Sequence, residues 1–339
     1  MRFWHRNTAA YMITLAIILT TMYYLFTIRD NTKGRVPDGP SRPKPLLTME
    51  YKSNKKIRTK NQHEEVLLNQ RPGKPANKTL ERLDVSRVMS CMDLEHFDRE
   101  KALVIGHRKK QRGFLTIGIT NVKRKNTSYL KRTLESLISN ANEAERSKLR
   151  IVVFACDLEE KARQEARDIV SKSFPEHVQS GLLQLIEAPK SFYPPLENLK
   201  QTFNDPNVRV KWRSKENIDN VFLFAYSVNM SDYYMLLDDD LITFSGYFQR
   251  IYNFVAKHQK NHWILLDISE RGTGKLFRNN DLLPLARFLV QFYQEQPVDL
   301  LLHSMMRLTN QNNHFVVEPP LFKHIGVVSS LELKNKNGA

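Results

Sequence analysis

One stretch constrains this chain more than any other: Tyr233-Tyr234-Met235-Leu236-Leu237-Asp238-Asp239-Asp240. An apolar, aromatic-led run of this length reads as a strand buried on both faces, the pattern of a sheet covered by helices on each side. Sheets of that kind present ligands at the carboxyl ends of their strands. This strand ends there in three adjacent carboxylates. Neighbouring carboxylates repel one another, and a hard divalent cation that also bridges a diphosphate offsets that repulsion. The alternative is a solvated acidic turn.

The surrounding sequence supplies the rest of such a sheet. Phe114-Leu115-Thr116-Ile117-Gly118-Ile119 is a first strand, followed by a turn bearing Lys123, Arg124 and Lys125. Thr127 or Ser128 is placed to cap a helix whose Leu130, Leu134, Leu137 and Ile138 share one face. Strands are expected over 149–155 and 182–186, with a charged helix over 159–174 between them. A helix over 214–228 precedes the acidic strand, and a helix over 248–256 and a strand over 263–266 follow it. Strands alternating with helices specify an α/β fold, a mostly parallel sheet with helices on both faces.

The formal net charge is +16, which raises the question of nucleic acid. Residues 29–79 hold 13 Lys/Arg against 5 Asp/Glu, so +8 of that excess lies in one Pro-rich, poorly apolar stretch. A solvated tether near an anionic membrane explains it better than a basic groove. Ahead of that stretch, residues 7–28 carry no formal charge across 22 positions, enough to span a bilayer of roughly 30 Å. No small-residue cleavage site follows, so the segment reads as an uncleaved signal anchor. The chain therefore divides into a cytoplasmic tail (1–6), an anchor (7–28), a stem (29–112), a folded domain (113–333) and a short tail (334–339). Asn77, Asn126 and Asn229 open glycosylation sequons. Cys91 and Cys156, the only cysteines, either pair in an oxidising lumen or leave Cys156 a buried thiol.

Cations gather at two places suited to phosphate. Lys123 and Arg124 follow the first strand, where a nucleotide approaches such a sheet, and Arg209, Lys211 and Arg213 bracket Trp212 before a helix start. The run Gly272-Thr273-Gly274-Lys275 is too short to be a phosphate loop. There is no Cys/His spacing of a zinc motif and no nucleophile elbow.

Together these residues resemble the glycosyltransferase-A domain of the N-acetylglucosaminyltransferase IV family, enzymes that add branching GlcNAc to the mannose core of N-glycans. The likeness runs from Phe114 to Leu331 through Val122-Lys123-Arg124, Ser191-Phe192-Tyr193-Pro194, Trp212-Arg213-Ser214-Lys215, the acidic strand, Gly274-Lys275-Leu276-Phe277 and Leu321-Phe322-Lys323-His324-Ile325-Gly326. The resemblance implies a Rossmann-like domain that binds UDP-GlcNAc with Mn²⁺ or another divalent cation. It implies Asp240 as metal ligand with His324 beside it, and Asp238, Asp239, Lys123 and Arg124 around the nucleotide sugar. It also implies a type II Golgi protein with its body in the lumen. In this family Pro297-Val298-Asp299-Leu300-Leu301-Leu302-His303-Ser304 corresponds to a segment whose second acid falls at His303; Asp299 is retained. An imidazole where an acceptor-side carboxylate is expected weakens the case for catalysis. The chain is similar to a member without the C-terminal lectin domain that inhibits N-acetylglucosaminyltransferase I. The expectation is accordingly a regulator of that medial-Golgi partner, with an active inverting transferase as the alternative.

Overall fold

The computed structural model describes residue 94 and residues 96–125, 127–269 and 274–331. All belong to one compact unit, Lys78–Ala339. The expected anchor at 7–28, the stem up to residue 93, Asn77, Cys91 and Asn126 lie outside the described residues. Among the described residues no helix is long and apolar enough to cross a membrane.

In chain order, α1 (Arg99–Ala102) leads into β1 (Leu103–Ile105) and β2 (Gly113–Asn121). Next come α2 (Leu130–Ser139), α3 (Glu143–Lys148), β3 (Leu149–Ala155), α4 (Glu160–Ser173), α5 (Pro175–Gln179) and β4 (Leu183–Ile186). A long α6 (Asn207–Ser227) precedes β5 (Ser231–Asp238) and β6 (Leu241–Thr243). The order closes with α7 (Tyr247–His258), β7 (Leu266–Asp267), β8 (Lys275–Arg278), α8 (Leu282–Phe292), α9 (Val298–Leu308) and β9 (Phe322–His324).

Seven strands form one sheet in the order β1-β4-β3-β2-β5-β8-β7, and β6 pairs with β9 in a separate ribbon. The central four, β4, β3, β2 and β5, are parallel. β1, β8 and β7 add antiparallel strands at the two sides, so the mostly parallel expectation holds only for the middle. β1 falls inside the stretch read as stem, and Phe97 from the same stretch stacks edge-on against Phe222 at 4.9 Å. The sheet thus recruits residues ahead of Gly113.

Period-2 alternation divides the side chains between two cores. Ile117, Ile151, Val153, Met235 and Leu237 pack under α2, α4 and α7. Val152, Phe154, Tyr234 and Phe277 pack under α6, α8 and α9. On that second face β2 carries Thr116, which donates to Ser231 Oγ (2.8 Å), and Gly118. A Cβ at Gly118 would lie 2.0 Å from the Tyr234 hydroxyl, so only glycine lets that ring lie across the sheet. β3 and β4 are buried on both sides along their whole length, and β5 through its middle.

β2 continues to β3 on one side of itself, whereas β5 lies on its other side. This reversal is the topological switch point, and the carboxyl ends of β2 and β5 open a crevice there.

Candidate active site

A cavity of about 630 Å³ occupies that crevice. Its floor is Thr120 from β2 with Asp238, Asp239 and Asp240 after β5; α6 supplies one wall, and the segment after β9 supplies another. The late segment is fixed by the β6–β9 ribbon, where Leu241 pairs with His324. Ile325 N–H also donates to the Asp240 carbonyl at 2.9 Å.

The three carboxylates sit in three different environments. Asp238 lines the cavity floor. Loss of hydration, then repulsion from Asp240, Asp299 and Asp239, pushes its carboxyl up to about 6. Asp239 is buried and already satisfied: Arg124 Nη1 lies 2.8 Å from Oδ1, and Asn121 Nδ2 donates to Oδ2 at 2.5 Å. Thr133 Oγ1 on α2 donates to its carbonyl at 2.6 Å. Asp240 shares the Arg124 guanidinium through Oδ2 (3.2 Å), and the same oxygen lies 3.2 Å from His324 Nε2. Its Oδ1 is buried and accepts no hydrogen bond. Gly326 closes the cradle, since a Cβ there would lie 2.0 Å from Asp240 Oδ2. An orphaned carboxylate oxygen beside an imidazole nitrogen and a second, cavity-facing carboxylate fits a divalent ion such as Mn²⁺.

Two expected nucleotide contacts take other roles. Arg124 is a buried clamp: besides both acids it donates through Nε to Val328 O (3.0 Å) and rests 5.1 Å over the Tyr129 ring. A guanidinium so committed joins the acidic turn to the late wall. Lys123 turns away, its Nζ 3.3 Å from Glu165 and its N–H donating to Asp157 Oδ2 at 2.8 Å. It does not line the cavity. The basic cluster 209–213 lies within α6 instead of before it. Arg213 is fully buried, pairing with Asp205 (3.2 Å) and donating to the Gln294 carbonyl (3.0 Å), so it locks the helix start rather than meeting a ligand. Trp212 alone of that cluster lines the cavity.

Sequence reasoning missed the wall built by α6. Glu216 and Asp219 lie one turn apart, both facing the cavity with Trp212. Asp219 is paired: Lys215 Nζ is 2.8 Å away, and the Tyr193 hydroxyl donates to Oδ1 at 2.6 Å. Burial raises its carboxyl while Lys215 opposes the rise. Among the described residues no cation pairs with Glu216, and Lys215 opposes its rise only from its contact with Asp219. Desolvation, then Asp238 and Asp299, push Glu216 up to about 8. A carboxyl group with this value trades a proton near neutral pH and is suited to general acid–base chemistry.

The α9 candidates do not face this cavity. Asp299 is exposed and pairs with Lys275 at 3.0 Å, acting on the cleft only through its field. His303 is half-buried against Asp267 and His314, with 5.9 Å between the two imidazole centroids. Burial holds it below the usual histidine value. Asn229 is exposed in the turn after α6 at φ 64°. Cys156 is a buried free thiol beside the cavity.

The family model described as the MGAT4 conserved region matches residues 85–338. An alpha-1,6-mannosyl-glycoprotein 4-beta-N-acetylglucosaminyltransferase of Gallus gallus is 38% identical over 231 residues, 68% of this chain and 50% of that protein. An alpha-1,3-mannosyl-glycoprotein 4-beta-N-acetylglucosaminyltransferase C of Macaca fascicularis is 37% identical, covering 65% of this chain and 46% of that protein. Among solved structures, a mannosyltransferase of Pyrobaculum calidifontis in complex with GDP-Man and Mn²⁺ matches with 12% identity and a TM-score of 0.37, covering 70% of this chain and 61% of that one. The chain spans about half the length of the curated relatives it matches.

Proposed function

The chain belongs to the family defined by the MGAT4 conserved region, and from that premise we propose that it is a Golgi type II membrane protein of N-glycan branching. Its donor-side cleft binds a nucleotide sugar of the UDP-GlcNAc kind. Its role is to restrain a medial-Golgi partner, N-acetylglucosaminyltransferase I, rather than to turn over acceptor. The observation behind this reading is the position of His303. Where the resemblance expects an acceptor-side acid, α9 carries an imidazole engaged with Asp267 and His314, outside the cavity that holds the acidic triplet. The donor half is kept and the acceptor half is altered.

Within the cleft the residues divide the work of binding. Arg124 holds Asp239 and Asp240 in place, leaving Asp240 Oδ1, Asp238 and His324 as the groups that would hold a divalent ion. Such an ion, when bound, supplies Lewis-acid neutralisation of a diphosphate. Trp212 offers an apolar ring on the wall, and Asp238 a carboxylate for sugar or ribose hydroxyls.

Glu216 supports a second reading, an active inverting UDP-GlcNAc-dependent β-1,4-N-acetylglucosaminyltransferase in which this carboxylate takes the proton of the acceptor hydroxyl. Two measurements separate the readings. The full chain, purified and supplied with UDP-GlcNAc, Mn²⁺ and a biantennary acceptor, gives no product on the first reading. Turnover that disappears in Glu216→Gln establishes the second. Expression of the chain in cells shifts N-glycans towards oligomannose on the first reading; an unchanged profile at high expression refutes it.

A further inference from the structure

His303 has a place in the molecule that the cleft does not explain. Asp267 ends β7, His303 lies at the middle of α9, and His314 lies on the connection from α9 to β9. One carboxylate oxygen and one ring nitrogen from each histidine fall within 4.8 Å of one another. Asp267 is only 2% exposed, whereas His314 is half open to solvent. Neither carboxylate oxygen of Asp267 accepts a hydrogen bond, although His314 Nε2 lies against Oδ2. A buried carboxylate whose one ionic contact among the described residues is a half-exposed imidazole has lost water with little return. Two imidazoles converging on it form the donor set that recovers the loss through a cation rather than through protons. None of the three residues lines the cavity of the acidic triplet.

We propose that Asp267, His303 and His314 form a second metal site, selective for a borderline divalent transition ion of the Zn²⁺ class. Two imidazole nitrogens and one carboxylate oxygen favour such ions over Ca²⁺ or Mg²⁺, which take oxygen ligands. Three protein ligands leave a fourth position on the exposed His314 side. Its neighbourhood is compatible with a positive ion: Asp299 faces the same region with Lys275, its partner at 3.0 Å, and the net charge of that pair is zero. The backbone is fixed by Gln311, three residues before His314. Its side-chain Oε1 accepts from Ile264 and Leu265 N–H (2.7 and 3.0 Å), and its Nε2 donates to Leu265 O at 2.7 Å. This amide binds the α9–β9 connection to the chain entering β7, so His314 and Asp267 approach each other on tethered backbone. A bound ion adds a crosslink between β7, α9 and that connection. The site shares His303 with the reading above, but it stands or falls whether or not the cleft binds nucleotide sugar.

The test uses the full chain stripped of metal by chelator dialysis. Zn²⁺ is titrated in competition with a chromophoric chelator, and Co²⁺ is titrated while following its visible d–d bands. One Zn²⁺ per chain is expected at this site, with Co²⁺ giving the intense bands of a four-coordinate N/O site. Asp240→Asn leaves this binding intact. His303→Ala and His314→Ala each weaken Zn²⁺ at least about 100-fold, more than the 10–100-fold typical of losing an outer partner of a ligand. His314 is half exposed, so its alanine variant keeps the fold; a melting curve matching the metal-free wild type checks this. Absence of Zn²⁺ binding, unchanged affinity in both histidine variants, or loss of the ion in Asp240→Asn overturns the proposal.

Discussion

The carboxyl of Glu216 makes the sharpest demand on this structure. Its value rises from the ordinary 4.5 to about 8, with desolvation as the main cause and Asp238 and Asp299 adding to it. A carboxyl that is harder to ionise when folded stabilises the protein fully below 4.5, and that contribution is lost as pH climbs through about 8. Between those values the native state holds more protons than the unfolded chain, so stability falls with rising pH. At ~1.36 kcal/mol per pH unit the whole interval corresponds to about 5 kcal/mol. Water in the cleft screens the repulsion, which brings the expected loss to about 2 kcal/mol. Glu216→Gln removes the charge while keeping the shape. Urea unfolding of wild type and variant at pH 5 and pH 9 should show similar midpoints in acid. At pH 9 the variant should be more resistant by roughly 1 M, for a slope of about 2 kcal/mol per M. If the two proteins lose stability in parallel from pH 5 to pH 9, Glu216 ionises freely and the desolvated wall of α6 is misdescribed.

Further substitutions probe the other parts of the cleft and the sheet below it. Arg124→Ala leaves Asp239 and Asp240 buried without their cation and should cost about 3–5 kcal/mol, read as a drop of roughly 10 °C in Tm; Arg124→Lys should not restore it, because one ammonium cannot span both acids. Gly326→Ala pushes the Asp240 carboxylate out of its cradle, so Mn²⁺ affinity measured by electron paramagnetic resonance should fall; unchanged affinity refutes the assignment of Asp240 Oδ1 as a ligand. The Tyr234 hydroxyl is buried without a hydrogen-bond partner, so Tyr234→Phe should stabilise by about 1 kcal/mol. The same change should rescue only part of the damage done by Gly118→Ala, because the ring carbons Cζ and Cε2 would still lie 2.6 and 2.9 Å from the new Cβ; a double-mutant thermal-melt cycle reads the coupling.

The core strands were legible because burial on both faces leaves unbroken apolar runs: 149–155 is β3, residue for residue, and the acidic strand ends where its carboxylates begin. Less was legible where polar groups replace apolar packing. The first two turns of α6 have little apolar repeat, since Arg213 anchors them through Asp205 and the Gln294 carbonyl, so the helix starts at Asn207 rather than Ser214. Expected capping of α2 by Thr127 or Ser128 failed similarly: Tyr129 takes the cap position without a side-chain bond, its hydroxyl instead accepting from Val327 N–H at 3.1 Å. Of the strand expected over 263–266 only Leu266 joins β7; Ile264 and Leu265 bond to the Gln311 amide instead, leaving β7 two residues long. At the site, the triplet, Arg124 and His324 were all singled out from sequence, and they do meet. What failed was the sense of direction, since Arg124 faces inward and Lys123 faces away. Glu216 was invisible because its character comes first from burial in the assembled cleft and then from Asp238 and Asp299, which lie on other elements. The Asp267, His303 and His314 cluster escaped for the same reason: it draws on β7, α9 and a loop with no recognisable spacing.

The wall contributed by the segment after β9 separates two properties that are often measured as one. The seven-stranded sheet and its helices are complete without that segment, whereas Asp240 depends on it for Ile325 N–H, His324 Nε2 and the glycine at 326. A chain clipped between α9 and β9 would keep its sheet and most of its circular-dichroism signal while losing the cleft. During synthesis the acidic turn leaves the ribosome well before its lid, so the pocket is among the last structures to exist. Secretion, solubility and helix content therefore say little about whether the binding site is intact; a ligand or metal readout is needed for that.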